Sequence, residues 1–380
     1  MSSEPQICEG VLELVEKGYG FLRNPAKAFQ PTPLDPFVPA DMIRQLRLRE
    51  GLAIRGEVGQ PDRNRGRGSP PVTKVLTLSG ESPEKWAEVK SFDKLTPINP
   101  NERYVFETTP DVVPMRVVDL LAPIGKGQRA LIVSPPRSGK TTLLQQMAAA
   151  VTKNHPKTYL MVLLIDERPE EVTDWRRTVK GEVIASSNDM PLEVHVRASR
   201  LAAEMAKRRV EMGQDVFIVL DSITRMGRAF NATMGNSGRT MTGGLDSRAL
   251  EIPKRVFGAA RNAEEGGSLT TVASALIETG SRMDEFIFQE FKGTGNMELV
   301  LNRKLAEQRI WPAMDIGQSG TRREELLLRP ADLEKIALLR RGIVDMPPEA
   351  AMAGLISALS KTKTNKEFLT KLGSSSGLRL

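Results

Sequence analysis

Gly139, Lys140 and Thr141 stand where an apolar run, "RALIVS", passes through "PPRSG" into a helix-forming stretch, "KTTLLQQMAAAVTK". In a strand–loop–helix context such a glycine lets the backbone approach a phosphate, and the helix N-terminus offers N–H groups to the anion. A lysine at position 140 reaches the outer phosphates, and the Thr141 hydroxyl holds magnesium. Ser134 occupies the place of the usual first glycine. It is small and lies at the mouth of the loop, where bulk rather than backbone twist is the constraint, so the pattern tolerates it. Two strands supply the acids. "DVFIVLDS" ends in Asp221, the type of carboxylate that orients a metal's water shell. "YLMVLLIDERPEEV" ends in Asp166 and Glu167. In an open parallel sheet both emerge at the carboxyl edge, beside the phosphate loop. The competing reading of "DERPEE" is the acidic first turn of a helix. Asp166, Glu170 and Glu171 can fill that role, which leaves Glu167 to polarise the attacking water. These residues imply hydrolysis of ATP with Mg2+.

The elements around them fall into two kinds. From about Pro114, nearly continuous apolar strands ("TYLMVLLID", "DVFIVLD", "SLTTVASALI") alternate with helical stretches such as "ASRLAAEMAKRRVEMG". That alternation predicts an α/β core, a parallel sheet with helices on both faces. The segment from Ala331 to Leu380 reads as mostly helical. Residues 9–80 instead hold short strands ("EGVLELVEKGYGFLR", "GLAIRGEVG", "VTKVLTLSG") broken by turn residues, the pattern of a small all-β barrel of the OB or cold-shock kind. The expected organisation is a barrel over 1–80, a linker over 81–113, and the α/β core with its helical C-terminal part over 114–380.

Composition narrows the class. The chain has 380 residues, 40% hydrophobic and 27% charged, and a net charge of +7. A basic balance favours a polyanionic partner, although it also suits a merely soluble surface. One cysteine, Cys8, excludes internal disulfides and cysteine metal clusters and fits a reducing compartment. No run is long and apolar enough to span a membrane, and "MSSEPQICEG" is no signal peptide, so the expected location is cytoplasmic. Tyr19 and Phe21 in "KGYGFL" lie two apart, on one face of a strand. Such pairs are more often core, but on a barrel they also suit a stacking platform for bases.

From Gly10 to about Leu372 the sequence resembles the Rho family of bacterial transcription termination factors. The stretches "LLIDERPEEVTDW", "LDSITRMGRAFN", "PKRVFGAARNAEEGGSLT", "EFKGTGNMELVLNRKLAE" and "SGTRREELLL" carry the likeness. The resemblance implies a RecA-like ATPase core behind an OB barrel, assembled as a homohexameric ring. It implies an RNA-dependent ATPase and 5′-to-3′ helicase acting on single-stranded nascent RNA and the RNA polymerase elongation complex. It places Lys140, Glu167, Asp221 and an arginine finger, Arg322, in catalysis. Gly125, Lys126, Gly127, Gln128, Arg129 and Ala130 would line the nucleotide, with Arg137, Ser138, Gly139, Thr141, Thr142 and Arg168. Arg309 would face a neighbour's nucleotide, and Trp311 would pack on adenine, although simple core packing is the alternative for it. A primary RNA site would comprise Tyr19, Gly20, Phe21, Phe37 and Arg67. A secondary site in the ring channel would comprise Arg239, Thr240, Met241, Thr242, Gly243 and Gly244 on one loop and Arg282 on another.

The sequence also departs from the family. Almost nothing precedes Gly10, where many members carry a helical subdomain, so contacts from that subdomain are expected to be absent. Around "DRNRGRGSPP" the Glu-Arg-Tyr element of the pyrimidine pocket is missing, which predicts weaker preference for cytidine. Arg239 replaces the more familiar lysine, keeping the charge with a different geometry. Two other readings compete: a hexameric ATPase of the rotary or secretion type, and an RNA-binding assembly protein with little motor activity. The first has no reason for "KGYGFL" or the two channel loops, and the sequence supports neither well.

Overall fold

The computed structural model describes residues 6–60, 68–234, 244–246 and 248–372. The barrel opens with β1 (Gln6–Leu14), turns at Gly18 and returns as β2 (Gly20–Arg23). β3 (Phe37–Val38), α1 (Ala40–Gln45), β4 (Ala53–Val58) and β5 (Val72–Leu78) follow, all strands antiparallel in the order β3-β2-β1-β4-β5. Alternation decides the faces: Leu12, Leu22, Val38, Ile54 and Leu78 point into one core. Glu13, Phe21 and Phe37, opposite one another in register, share the other face.

The stretch over 81–113, expected as a linker, is ordered and packed. α2 (Pro83–Ala87) puts Trp86 into the barrel core. Phe92 and Leu95 join one core of the α/β region, while Tyr104 and Phe106 join the other. β6 (Pro97–Ile98) pairs with a strand of the main sheet.

The α/β region runs α3 (Val113–Leu121), β7 (Arg129–Ser134), α4 (Lys140–Asn154), β8 (Tyr159–Glu167), α5 (Pro169–Thr178), β9 (Glu182–Ser187), α6 (Leu192–Glu211), β10 (Val216–Asp221) and α7 (Ile223–Thr233). It continues through α8 (Glu251–Gly258), β11 (Arg261–Ala263), β12 (Ser268–Leu276), α9 (Arg282–Lys292), β13 (Met297–Val300), α10 (Arg303–Glu307) and β14 (Gly320–Thr321). α11 (Pro330–Ile343), α12 (Pro348–Ser360) and α13 (Asn365–Leu372) close the chain as the expected helical part. The sheet order is β14-β13-β7-β12-β10-β8-β9, parallel from β13 to β9. Alternate residues of each strand divide between two buried clusters. Ile132, Val162 and Val219 face α4 and the C-terminal helices, whereas Val133, Leu163 and Leu220 face α6, α7 and α9. Burial on both faces explains the continuous apolar runs read in the sequence.

Candidate nucleotide and RNA sites

The phosphate loop forms where β7 meets α4. Gly139, at φ 83°, caps the helix in a conformation an L side chain rarely adopts, and a Cβ there would lie 2.6 Å from the Trp311 ring. Ser134 is buried, and its hydroxyl bonds to Ser138 Oγ at 2.8 Å, while Ser138 donates to the Pro135 carbonyl at 2.7 Å. The serine in place of glycine therefore ties the loop shut from inside. Arg137 and Thr142 are exposed, and Lys140 and Thr141 are half-buried at the loop.

The acids converge on it from neighbouring strands. Lys140 Nζ donates to Asp221 Oδ1 at 2.5 Å, and Ser274 Oγ donates to the same oxygen at 2.7 Å. Glu167 is 1% exposed, and Arg225, in the first turn of α7, reaches its Oε1 at 3.3 Å and donates to the Asp166 carbonyl at 2.6 Å. Burial, then the nearby Asp221 charge, pushes the Glu167 carboxyl above its ordinary range, and Arg225 and Lys140 pull the other way. Glu167 Oε2 and Asp221 Oδ2 are buried without a hydrogen-bond partner among the described residues. Two such acceptors at the phosphate loop, where Thr141 lines the cleft, fit a hydrated Mg2+ and an activated water. A cleft of about 430 Å³ runs between the loop, Glu167, Arg168, Glu171 and Arg225. A second, of about 290 Å³, is walled by Trp311, Pro114, Gly139, Thr142, Leu143 and Gln146 and is mainly apolar, which suits a base. Arg168 caps α5 and is exposed, and Arg309 is exposed beyond α10.

The segment Gly125–Ala130, expected to line the nucleotide, is not brought to this site within the one chain. It sits at the amino end of β7, about 17 Å of extended strand from the loop. Lys126 pairs with Glu102 and Asp215 at 2.7 and 2.8 Å, Gln128 bonds to Asn296, and Gly127 N donates to Thr270. Arg129 is held by the carbonyls of Thr294 and Ala260. Burial, then the charges of Arg261 and Arg322, hold its guanidinium below the ordinary value. Arg322 is exposed, and its N–H donates to Asn296 O at this same amino edge, away from its own phosphate loop.

On the barrel, Tyr19, Phe21 and Phe37 form a half-buried trio with ring centroids 5.2–5.9 Å apart. They lie outside the barrel core, on the opposite sheet face. Gly20 is required behind them, because a Cβ there would meet Leu12 at 2.6 Å and the Glu13 carbonyl at 2.7 Å. Arg23, missed in the sequence, lies 4.8 Å from the Phe21 ring centroid and is buried between Glu13 and Asp35. Arg67 lies outside the described residues, as do Arg239, Thr240, Met241, Thr242 and Gly243. Gly244 is held by Asn231 beside Met283, next to Arg282, which is exposed at the start of α9. Asp284 anchors that second loop, accepting from Thr279 Oγ1 at 2.6 Å and from Arg228 Nε at 2.7 Å.

A phosphate loop with a buried glutamate, on a parallel sheet joined to an aromatic-faced OB barrel, defines an ATPase-type core coupled to a nucleic-acid-binding module. The comparisons agree. The profile of the ATP synthase alpha/beta family, nucleotide-binding domain, matches residues 114–321, and that of the Rho termination factor, RNA-binding domain, matches residues 8–84. A transcription termination factor Rho of Cereibacter sphaeroides is 52% identical over 96% of this chain and 86% of its own. One of Pseudomonas aeruginosa is 50% identical over 96% and 87%. In fold alone, an ATPase from the type III secretion system of pathogenic bacteria is similar, with TM-score 0.63 at 22% identity over 81% of this chain and 95% of that one. The chain belongs to the transcription termination factor Rho family.

Proposed function

We propose that the chain is an RNA-driven ATPase that binds nascent single-stranded RNA, moves along it 5′ to 3′ as a homohexameric ring, separates RNA from DNA and terminates transcription by RNA polymerase. A cytoplasmic location follows from that role; among the described residues no helix is long and apolar enough to cross a membrane. The observation that carries the reading is the pairing of two buried acids, Glu167 and Asp221, around Lys140 with aromatic rings left half-exposed on the barrel.

Within the site, Lys140 binds the outer phosphates and Glu167 takes a proton from the attacking water. Thr141, with Asp221 through water, would hold Mg2+, which would neutralise charge on the phosphates when bound. Trp311 and the apolar cleft receive the adenine, with Arg137 and Arg168 near the phosphates. Arg322, and Arg309 beside it in role, act on the nucleotide of the next subunit. The trio captures bases by stacking, and the loops bearing Arg239 and Arg282 grip RNA phosphates in the channel. ATP hydrolysis measured alone, with cytidine-rich RNA, and with DNA of the same sequence tests this. RNA-specific stimulation is expected, and brisk hydrolysis indifferent to RNA would make the chain a motor of another kind.

A further inference from the structure

One of the places where the barrel meets the core is a stripe of α6; another is the 25–29 segment, where Arg176 of α5 donates to the Ala26 carbonyl. Arg197, Arg200, Glu204, Arg208 and Glu211 recur at three- and four-residue spacing, so they line one helix face. Arg49 of the barrel reaches Glu211 at 2.9 Å, Arg208 donates to the Glu50 carbonyl at 3.4 Å, and Arg200 lies 3.7 Å from the Glu50 carboxylate. Gly51 is pressed against this helix: at φ 86°, a Cβ would fall 2.4 Å from the Glu204 backbone. The opposite face of α6, with Ala198, Leu201, Ala202 and Met205, packs into the core of the sheet. α6 leads directly to β10, whose last residue is Asp221.

One carboxylate in this seam serves both sides. Glu13 Oε2 accepts from Arg23 at 2.7 Å, and Arg23 is the guanidinium beneath Phe21. Glu13 Oε1 accepts from Arg197 at 2.9 Å, with Arg200 at 3.5 Å. The Glu13 and Arg23 side chains are only 6% and 8% exposed, so water screens little of that pair, whereas Arg197 and Arg200 are partly exposed at 29% and 47%. A buried carboxylate shared in this way cannot lose one cation without changing its hold on the others.

We propose that Glu13 is a positioning residue that couples RNA occupancy of the aromatic trio to the ATPase core, through Arg23 on the barrel side and Arg197 and Arg200 on α6. This rests on the trio being an RNA site, as argued above. A base stacked on Phe21, or a phosphate beside it, competes for Arg23. The Glu13 charge then shifts towards α6 and tightens the barrel against the core. RNA stimulates hydrolysis in part through that differential contact.

The test uses the full chain with a cytidine-rich oligonucleotide, reading RNA affinity by fluorescence anisotropy and ATP turnover at saturating RNA. Arg197→Gln is expected to bind RNA within about twofold of the parent while losing about fivefold or more of its RNA stimulation, the lower end of measured site-to-site couplings. Arg197→Lys, which keeps a cation, should recover part of the loss. Glu13→Gln combined with Arg197→Gln should be no worse than the poorer single variant. Unchanged stimulation in Arg197→Gln, losses that multiply in the double variant, or a fall in affinity that accounts for the whole effect would each overturn the proposal. Thermal melting of each variant separates general destabilisation, which Arg197→Lys would not selectively repair. If Phe21→Ala leaves RNA affinity intact, it is the RNA-site reading that falls, and that outcome is distinct from these.

Discussion

The two edges of the parallel sheet differ in how their charges are met. At the carboxyl edge lie the phosphate loop, Lys140 and two buried acids, Glu167 and Asp221. At the amino edge Arg129, Arg261 and Arg322 cluster, with no carboxylate paired to any of them among the described residues. At the first edge Lys140 and Arg225 are paired to the acids, while Arg137 and Arg168 are exposed. At the second, Lys126 is paired with Glu102 and Asp215, which leaves the three guanidiniums as its unmet charge among the described residues. In the ring proposed above, head-to-tail packing would bring one edge to the other.

The sharpest way to break this comparison is to remove the charge that crosses. Arg322→Ala is expected to lower turnover by roughly 10³–10⁵-fold with nucleotide binding retained. Mixing these subunits with Lys140→Ala subunits should restore part of the activity; no restoration would mean that the two edges do not meet. Glu167→Gln should cost roughly 10²–10⁴-fold, the usual worth of a general base.

The pH dependence sharpens the same point. Burial and Asp221 raise the Glu167 pKa, so the reactive carboxylate form is lost as pH falls through that raised value, and rate climbs with pH across it. Arg225 opposes the shift, so Arg225→Ala should carry the rising limb to still higher pH in a profile of kcat/KM. A limb that stays put would remove Glu167 from the role of base. On the barrel, Tyr19→Ala should weaken RNA binding by about 1–3 kcal/mol without altering hydrolysis in the absence of RNA. The smallest effect concerns base preference. Phe37 N bonds to the Pro70 carbonyl, and the adjoining prolines offer no N–H to a base edge. Cytidine-rich and adenine-rich RNA should therefore bind within a factor of a few, and a strong cytidine preference would contradict this.

What could be read from the residues alone followed a physical division. The core strands announced themselves because burial on both faces leaves no alternation, and the phosphate loop because glycine, lysine and threonine are adjacent in sequence. Gly125–Ala130 was placed on the nucleotide by resemblance, and one chain alone does not bring it there. These residues lie next to the loop along the chain but at the far end of a six-residue strand, where extension overrides proximity. Arg225 was missed because its partner, Glu167, is brought to it only by the pairing of β8 with β10. The one available hint was its place in the first turn of the helix after Asp221. Arg23 and Glu13 read as ordinary strand charges, since nothing local reveals that α6 would bury them. Trp311 was placed on the nucleotide by resemblance, and the crowding against Gly139 gives that position a steric reason.

The packed connector has a consequence for how RNA is handed over. A module on a loose tether meets its target at an effective concentration set by tether length, and it must search over many orientations. Here Trp86 is anchored in the barrel, Phe92 and Tyr104 are anchored in the core, and β6 is hydrogen-bonded to β11. A strand caught on the barrel therefore leaves it at one fixed bearing relative to the sheet. On the RNA path proposed above, threading polarity would be written into the scaffold, and lengthening the 81–113 segment should blur it before it weakens either binding or hydrolysis.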